Sequence, residues 1–481
     1  MIASPLLAKM QGFIGGRWLD ADSRSTLPVL NPATGEHLAD VPDMGEHETR
    51  NAIEAGVRAL CSQASADERQ HWLKSLAQAL LDNKQELARI ITLEHGKPLK
   101  EAVAEVEYAA GFFSYFAEQI CHIQPRTLPN RIRNCTWEVH HRPAGVAGLI
   151  VPWNFPLAML AKKLAPALAA GCSVVAKPAR LTPLSSIAFW KIAEEVQLPV
   201  GVLNLVIGQA NPIGNTLCAH PDVRVISFTG STEVGQQLSL NTAPHIKRLA
   251  LELGGNAPFL VFEDADVDAA ADALVANKFR SAGQTCVCTN RVYVHRAVEA
   301  QFTEAVAART RILRVGNGLD PETDIGPLIN RAGFDKVAEH VRDALAREAI
   351  RLVGYDPPRP TEDWGCFYPP TVLSSVHPES LVCREETFGP LVAICTFTEE
   401  AEVLEAANGT PLGLAAYVCS RDLRRIERII PQLKVGHVGV NTGTGPTPDA
   451  PFGGMKHSGF GREGGLEGLL EFCEPQTVVR A

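Results

Sequence analysis

Residues 146–178 read VAGLIVPWNFPLAMLAKKLAPALAAGCSVVAKP, and this stretch decides the fold. An apolar run at 146–151 is followed by the turn-forming PWNFP. An alanine- and leucine-rich segment long enough for a helix comes next, then a glycine and a second apolar run ending at Lys177. Short strand, helix and short strand form the unit of a parallel sheet, because parallel neighbours need a crossover between them. The alternation continues through SSIAFWKIAEEV (185–196), VLNLVIG (202–208), VRVISFTG (223–230) and KRLALELGG (247–255). The expected fold class is α/β, with a doubly wound sheet whose ligands sit at the carboxyl ends of the strands. The residues just after these runs are therefore the ones to inspect: Trp153 and Asn154, Lys177, Gly208, Gly230 and Glu252.

A second alternating set begins at PFLVF (258–262) and runs through RVYVH (291–295), a helix near 301–311, LVAICTF (391–397) and AAYVCS (415–420), which argues for a second α/β domain. Between residues 121 and 142 the alternating TWEVHH looks like a projecting strand, and QTVVR near the C-terminus looks like another. Strands with unpaired edges usually find a partner chain.

At 481 residues the chain is too long for one core, and 46% hydrophobic with 21% charged residues is a globular composition. A net charge of -9 without long charge runs gives no reason to expect nucleic acid as a partner. Met1 to Gly16 lacks a basic stretch followed by a long apolar core, so a cytoplasmic protein is expected. The apolar stretch 143–161 contains Asn154, Pro143, Pro152 and Pro156, which a bilayer span tolerates badly, so no membrane association is expected. The twelve cysteines lack paired C-x-x-C spacing and read as reduced thiols. Cys286 and Cys288 have no second ligand pair nearby, so no metal is expected.

Gly459, Gly461 and Gly464 fit G-x-G-x-x-G, but no strand precedes them and no acidic ribose ligand can follow before Ala481. The better nucleotide candidate is Gly230-Ser-Thr-Glu-Val-Gly235, after a strand and opening a helix, where backbone N–H groups meet a phosphate. Alone it is equally a tight strand-to-helix turn. Lys177, followed by Pro178, is either a ribose ligand or a solvated surface lysine. Arg180 nearby, with no acid beside it, leans toward the extra phosphate of NADP over NAD.

Most free cysteines are packing residues. Cys286 differs in context, because Gly283 and Thr285 give a close-approach turn before the sulfur, and a thiolate attacks carbonyl carbon readily. Glu252, flanked by apolar residues, is a candidate base for the thiol or for a hydrolytic water, with a strand-end surface acid as the alternative. Asn154 is a candidate oxyanion donor together with the Cys286 N–H, or else a turn former. Cys288 is a candidate redox partner of Cys286, or a packed thiol.

The segments PWNFP, KPA, FTGSTEVG, LELGGNAP, GQTC, EETFGP, and PFGG with SGFGREGG occur in an order and spacing that resembles the aldehyde dehydrogenase superfamily across nearly the whole chain. The resemblance implies Cys286 as nucleophile, Glu252 as base and Asn154 as oxyanion donor. It implies NADP or NAD held by Lys177 on the adenosine ribose, by Gly230, Ser231, Val234 and Gly235 along the pyrophosphate, and by Glu386 and Phe388 at the nicotinamide end. Pro152, Trp153, Pro178, Arg180, Gly214, Phe228, Leu253 and Gly254 complete the implied cofactor surface. It further implies a cofactor-binding domain at 1–120 and 143–253 and a catalytic domain at 254–436. Residues 437–464 would return to the active-site entrance, and 121–142 with 465–481 would form a small β oligomerisation element in a homodimer or homotetramer.

Within the superfamily, KFR-x-AGQTCVC and LELGGNAPF resemble the succinate-semialdehyde dehydrogenase group. That group has an arginine six residues before the nucleophile, here Arg280, to bind the substrate carboxylate, and the spacing lies within reach of two helical turns. Its second arginine is replaced by Lys162, which keeps the charge but loses the bidentate fork, and its serine near PFGG is replaced around Thr447. Succinic semialdehyde is the expected substrate. Glutaric, sulfo and phosphono semialdehydes, or broad specificity, are the alternatives. A relative that passes its thioester to CoA has less need of Glu252, and a chain that had lost activity would lack Cys286, Glu252 or Asn154.

Overall fold

The computed structural model describes residues 2, 4–60, 64–360 and 365–481. Its first sheet has eight strands. At its centre, in spatial order, lie Leu203–Leu205, Ser173–Lys177, Val146–Ile150, Val223–Thr229 and Arg248–Glu252, these five parallel to one another. The chain winds outward from Val146–Ile150 in one direction and then in the other, which is the doubly wound topology expected. The reversal falls between Val146–Ile150 and Val223–Thr229. The PWNFP and FTGSTEVG turns thus leave adjacent strands at the same edge, where such a sheet opens a crevice for a ligand.

The helix Pro156–Ala170 between the first two strands follows from its sequence. Proline occupies its first turn, where a missing N–H costs nothing, and Gly171 at φ 91 ends it with its N–H bonded to the Leu168 carbonyl at 3.0 Å. All its residues except Met159 are buried. A helix apolar all round is a core helix; here it packs on the helix Leu99–Gln119 and the sheet. Each buried leucine contributes about 1.5–3 kcal/mol.

The second sheet has seven strands, in the order Ile350–Val353, Thr371–Ser374, Leu391–Phe397, Thr289–His295, Ala257–Val261, Ala415–Cys419 and His437–Val440. Only the first pair is antiparallel. His437–Val440 thus extends this sheet past residue 436, where the sequence placed a boundary. Only later does the chain cross back, when Gly459–Phe460 pairs antiparallel with Leu251 and Glu252. Those two residues include one glycine of the G-x-G-x-x-G pattern set aside as a nucleotide site.

TWEVHH and QTVVR both form strands, and they pair first with each other. Cys473–Arg480 runs antiparallel along Thr136–Pro143, which also pairs with Arg126–Leu128. The C-terminal strand begins at Cys473, because the helix Gly465–Leu470 packs back on Pro156–Ala170. Among the described residues no helix is long and apolar enough to cross a membrane. The described cysteines are all free thiols; Cys61 lies outside the described residues.

Candidate active site

The chain reaches Cys286 by an uncommon backbone path. The helix Val267–Phe279 stops, and Ser281, Ala282 and Gly283 follow in left-handed conformations at φ 52, 55 and 75. The six residues from Arg280 to Cys286 are therefore not helical turns, as their spacing suggested. Two non-glycine residues in this region cost about 1–2 kcal/mol each. At Gly283 a Cβ would lie 2.2 Å from the Gly389 carbonyl oxygen, so only glycine fits. This strained turn aims Cys286 into a cavity of about 480 Å³ at the carboxyl edge of the first sheet. Burial pushes the thiol pKa up to about 12, with Lys162 the strongest opposing charge. At rest the sulfur is a thiol that needs a base.

Glu252 lines the same cavity at the end of its strand. It is 3% exposed, and neither carboxylate oxygen has a hydrogen-bond partner among the described residues. This is no surface acid. Burial first, and then the Glu463 charge, hold its pKa well above the ordinary carboxylate range against Lys162 and Lys163. An orphaned buried carboxylate facing a cavity is poised to exchange a proton with whatever fills that cavity.

Asn154 is buried on the opposite turn, and its Nδ2 donates to the Gln284 carbonyl at 2.9 Å. That bond ties the PWNFP turn to the loop carrying Cys286. The cavity wall brings together Pro152, Trp153, Asn154, Lys162, Gly230, Ser231, Glu252, Leu253, Gly254, Arg280, Cys286, Glu386, Phe388 and Thr447, all singled out from sequence. Cys288 is not among them. Its buried Sγ bonds the Lys278 and Thr289 carbonyls at 3.6 and 3.5 Å, beneath the loop.

At the crevice between the two central strands, Ser231 caps the helix Thr232–Thr242 by accepting the Val234 N–H at 3.3 Å. At Gly235 a Cβ would lie 2.5 Å from the Leu253 side chain, so glycine lets helix and strand approach closely. Phe228 is buried near the end of its strand with its ring over Gly230, Val234 is exposed on the first turn, and a Cβ on Gly214 would meet open space. Lys177 is buried rather than solvated. Its ammonium donates to the Pro178 carbonyl at 2.9 Å, and burial, then the Arg180 charge, pull its pKa down to about 8. Arg180 itself is exposed. Glu386 accepts the Gly255 N–H at 2.9 Å, and burial raises its pKa to about 7. Phe388, at φ 57, meets Trp153 edge-on at 5.5 Å. Spare ammonium donors, a capped helix N-terminus, close-approach glycines and a buried carboxylate make a donor and acceptor set that fits a dinucleotide's ribose hydroxyls and phosphates.

The guanidinium of Arg280 lies over the Phe155 ring at 4.9 Å and has no carboxylate within ion-pair distance among the described residues, while its charge acts on the buried Glu101 nearby. Lys162 is placed differently. Its ammonium pairs with Glu463 at 3.0 Å, and Lys163 also bonds Glu463. Sequence reasoning missed Glu463, Tyr108, Phe452, Glu101 and Glu105 on this wall. Only the four-residue spacing of Glu101 and Glu105 signalled a shared helix face.

A buried thiol and an orphaned carboxylate on one cavity, beside a dinucleotide crevice in a doubly wound sheet, fit an α/β enzyme. More narrowly, the chain belongs to the aldehyde dehydrogenase family, whose profile matches residues 18–478. It is 46% identical over 470 residues to the NADP(+) succinate-semialdehyde dehydrogenase of Escherichia coli, with 97% of each chain covered. It is 44% identical over 470 residues to the glutarate-semialdehyde dehydrogenase of Pseudomonas aeruginosa, again with 97% of each covered. The solved structure of an oxidoreductase from Marinobacter aquaeolei superposes with a TM-score of 0.98 at 53% identity, covering 100% of both chains.

Proposed function

We propose that this aldehyde dehydrogenase oxidises a small anionic aldehyde, succinic semialdehyde foremost, to its carboxylic acid with NADP or NAD. The observation that carries the reading is the convergence of Cys286, Glu252 and Asn154 on one cavity that also holds the unpaired guanidinium of Arg280. In this reading the first sheet is the cofactor-binding domain, the second the catalytic domain, and the three-stranded sheet the element that joins a cytoplasmic homodimer or homotetramer.

Glu252 takes the Cys286 proton, and the sulfur attacks the aldehyde carbon to give a thiohemiacetal. The developing oxyanion is met by the second N–H of the Asn154 amide and by the Cys286 backbone N–H. Glu386 and Phe388 would hold the nicotinamide end of the cofactor, whose chemistry when bound would be the two-electron oxidation of the thiohemiacetal to a thioester. Glu252 passes that proton to solvent and then deprotonates a water, which attacks the thioester; the departing sulfur takes the proton from Glu252, releasing the acid and the Cys286 thiol. Arg280 holds the far-end anion by parallel charge-assisted hydrogen bonds and so orients the aldehyde. A sulfonate suits the same fork, which keeps a sulfo semialdehyde as the second reading.

The test is kcat/KM for succinic, glutaric, sulfo and phosphono semialdehydes against butanal, with each cofactor. The reading expects a four-carbon anion to lead; equal values for butanal and the anionic aldehydes would overturn it.

A further inference from the structure

Behind the PWNFP turn lies a group of buried charges that the reaction outlined above does not use. Lys97, just before the helix Leu99–Gln119, is fully buried, and its Nζ contacts Glu105 Oε2 at 2.6 Å. The same ammonium donates to the backbone carbonyl of Asn154 at 2.8 Å and sits 3.7 Å from the Phe155 ring centroid. The other oxygen of Glu105 accepts the N–H groups of Leu157 and Ala158 at 3.0 and 3.2 Å, capping the helix that PWNFP opens. One turn earlier on the same helix, Glu101 accepts the Ser281 N–H at 2.8 Å, in the left-handed turn that leads to Cys286. A single rigid helix end therefore grips both loops of the candidate site.

A buried ion pair is a poor source of stability, because desolvating two charges offsets most of their attraction, and apolar residues of similar volume often serve as well. What an ion pair does supply is direction. The Lys97 ammonium has a counter-ion on one side and the Asn154 carbonyl on another, so it fixes the peptide from which the oxyanion-donating amide projects. The Asn154 side chain itself bonds the Gln284 carbonyl, which lies in the very loop Glu101 holds, so both ends of the residue are tied to the same helix end.

We propose that Lys97 and Glu105 are positioning residues for Asn154, holding its amide at the spot where the oxyanion forms at Cys286. The proposal rests on Asn154 being the oxyanion donor. Misplacing a reacting group by about 1 Å costs on the order of 10²-fold in rate.

The experiment is a double-mutant cycle in the full-length protein between Asn154→Ala and each of Lys97→Met and Glu105→Gln. The isosteric Glu105→Gln keeps the test open if Lys97→Met fails to fold. Each single variant is expected to lower kcat by about 10²-fold. Either double variant is expected to be no slower than Asn154→Ala, because both changes act through the same amide. Alkylation of Cys286 by iodoacetamide needs the sulfur but no oxyanion donor, so its rate in the Lys97 and Glu105 variants is expected to match the unmodified chain. Full additivity, wild-type kcat in the folded Glu105→Gln variant, or an equal loss of alkylation rate would overturn the proposal. Wild-type kcat in Asn154→Ala would instead overturn the oxyanion assignment on which it rests.

Discussion

The ammonium of Lys162 lies 3.0 Å from the Glu463 carboxylate and 4.2 Å from the centroid of the Phe452 ring. A lysine so placed already has a counter-ion, which it shares with Lys163, whereas Arg280 on the same wall has no carboxylate within ion-pair distance among the described residues. Lys162→Met is therefore expected to change KM for succinic semialdehyde by less than about threefold, as for a charge screened by its own partner. Steady-state kinetics check this, and a rise matching that of Arg280→Ala would show that Lys162 anchors the substrate after all.

Arg280→Ala is expected to raise KM for succinic semialdehyde by about tenfold or more, in keeping with about 1.5–3 kcal/mol for a charge-assisted hydrogen bond. Butanal, with no anion to hold, should shift by less than about threefold. An equal effect on both aldehydes would remove Arg280 from the substrate site.

Cofactor choice is expected to follow Arg180, which is exposed close enough to Lys177 to lower its pKa. Replacing it by glutamate adds repulsion toward a ribose phosphate and an acceptor for ribose hydroxyls. The ratio of kcat/KM for NADP over NAD should fall in Arg180→Glu. An unmoved ratio would mean that Arg180 does not read the phosphate.

Burial raises the pKa of both Cys286 and Glu252, and the sign of the pH dependence follows. A raised thiol pKa keeps sulfur protonated, so the thiolate fraction in the cofactor-free protein climbs with each pH unit through the neutral and mildly alkaline range. Iodoacetamide alkylation of Cys286 should still be accelerating at about pH 9.5, above the ordinary thiol value of about 8.5. A plateau reached at or below neutral pH would show a preformed thiolate.

The alternation of strands and helices from Val146 to Gly255 was enough to read the doubly wound sheet, because each crossover leaves its own periodicity in the chain. Glu252 on the cavity wall and Lys177 at the crevice were readable because each ends a strand. Glu463 and Tyr108 were not, because each arrives from a distant segment and meets Lys162 only in the folded protein. The left-handed run at Ser281 and Ala282 was equally hidden, since neither residue type favours that conformation and the bonds on Ser281, its N–H donating to Glu101 and its carbonyl accepting from the Gln284 amide, form only in the folded protein. Cys288 shows the converse: two residues from the nucleophile in sequence, its sulfur faces the Lys278 and Thr289 carbonyls.

The central claim is a covalent acyl intermediate on Cys286 that Glu252 helps to hydrolyse, and intact-protein mass spectrometry of Glu252→Gln mixed with succinic semialdehyde and oxidised cofactor tests it most directly. Losing a general base slows each step it serves by about 10² to 10⁴-fold, so the mixture is held at about pH 9.5, where more of the sulfur ionises without Glu252. Acylation then recovers ahead of hydrolysis, and the thioester should accumulate, map to the peptide containing Cys286, and be released by hydroxylamine. That adduct is expected in Glu252→Gln and should be absent when Cys286→Ala is combined with Glu252→Gln. An unmodified mass in Glu252→Gln, or an adduct that survives the loss of Cys286, would contradict it.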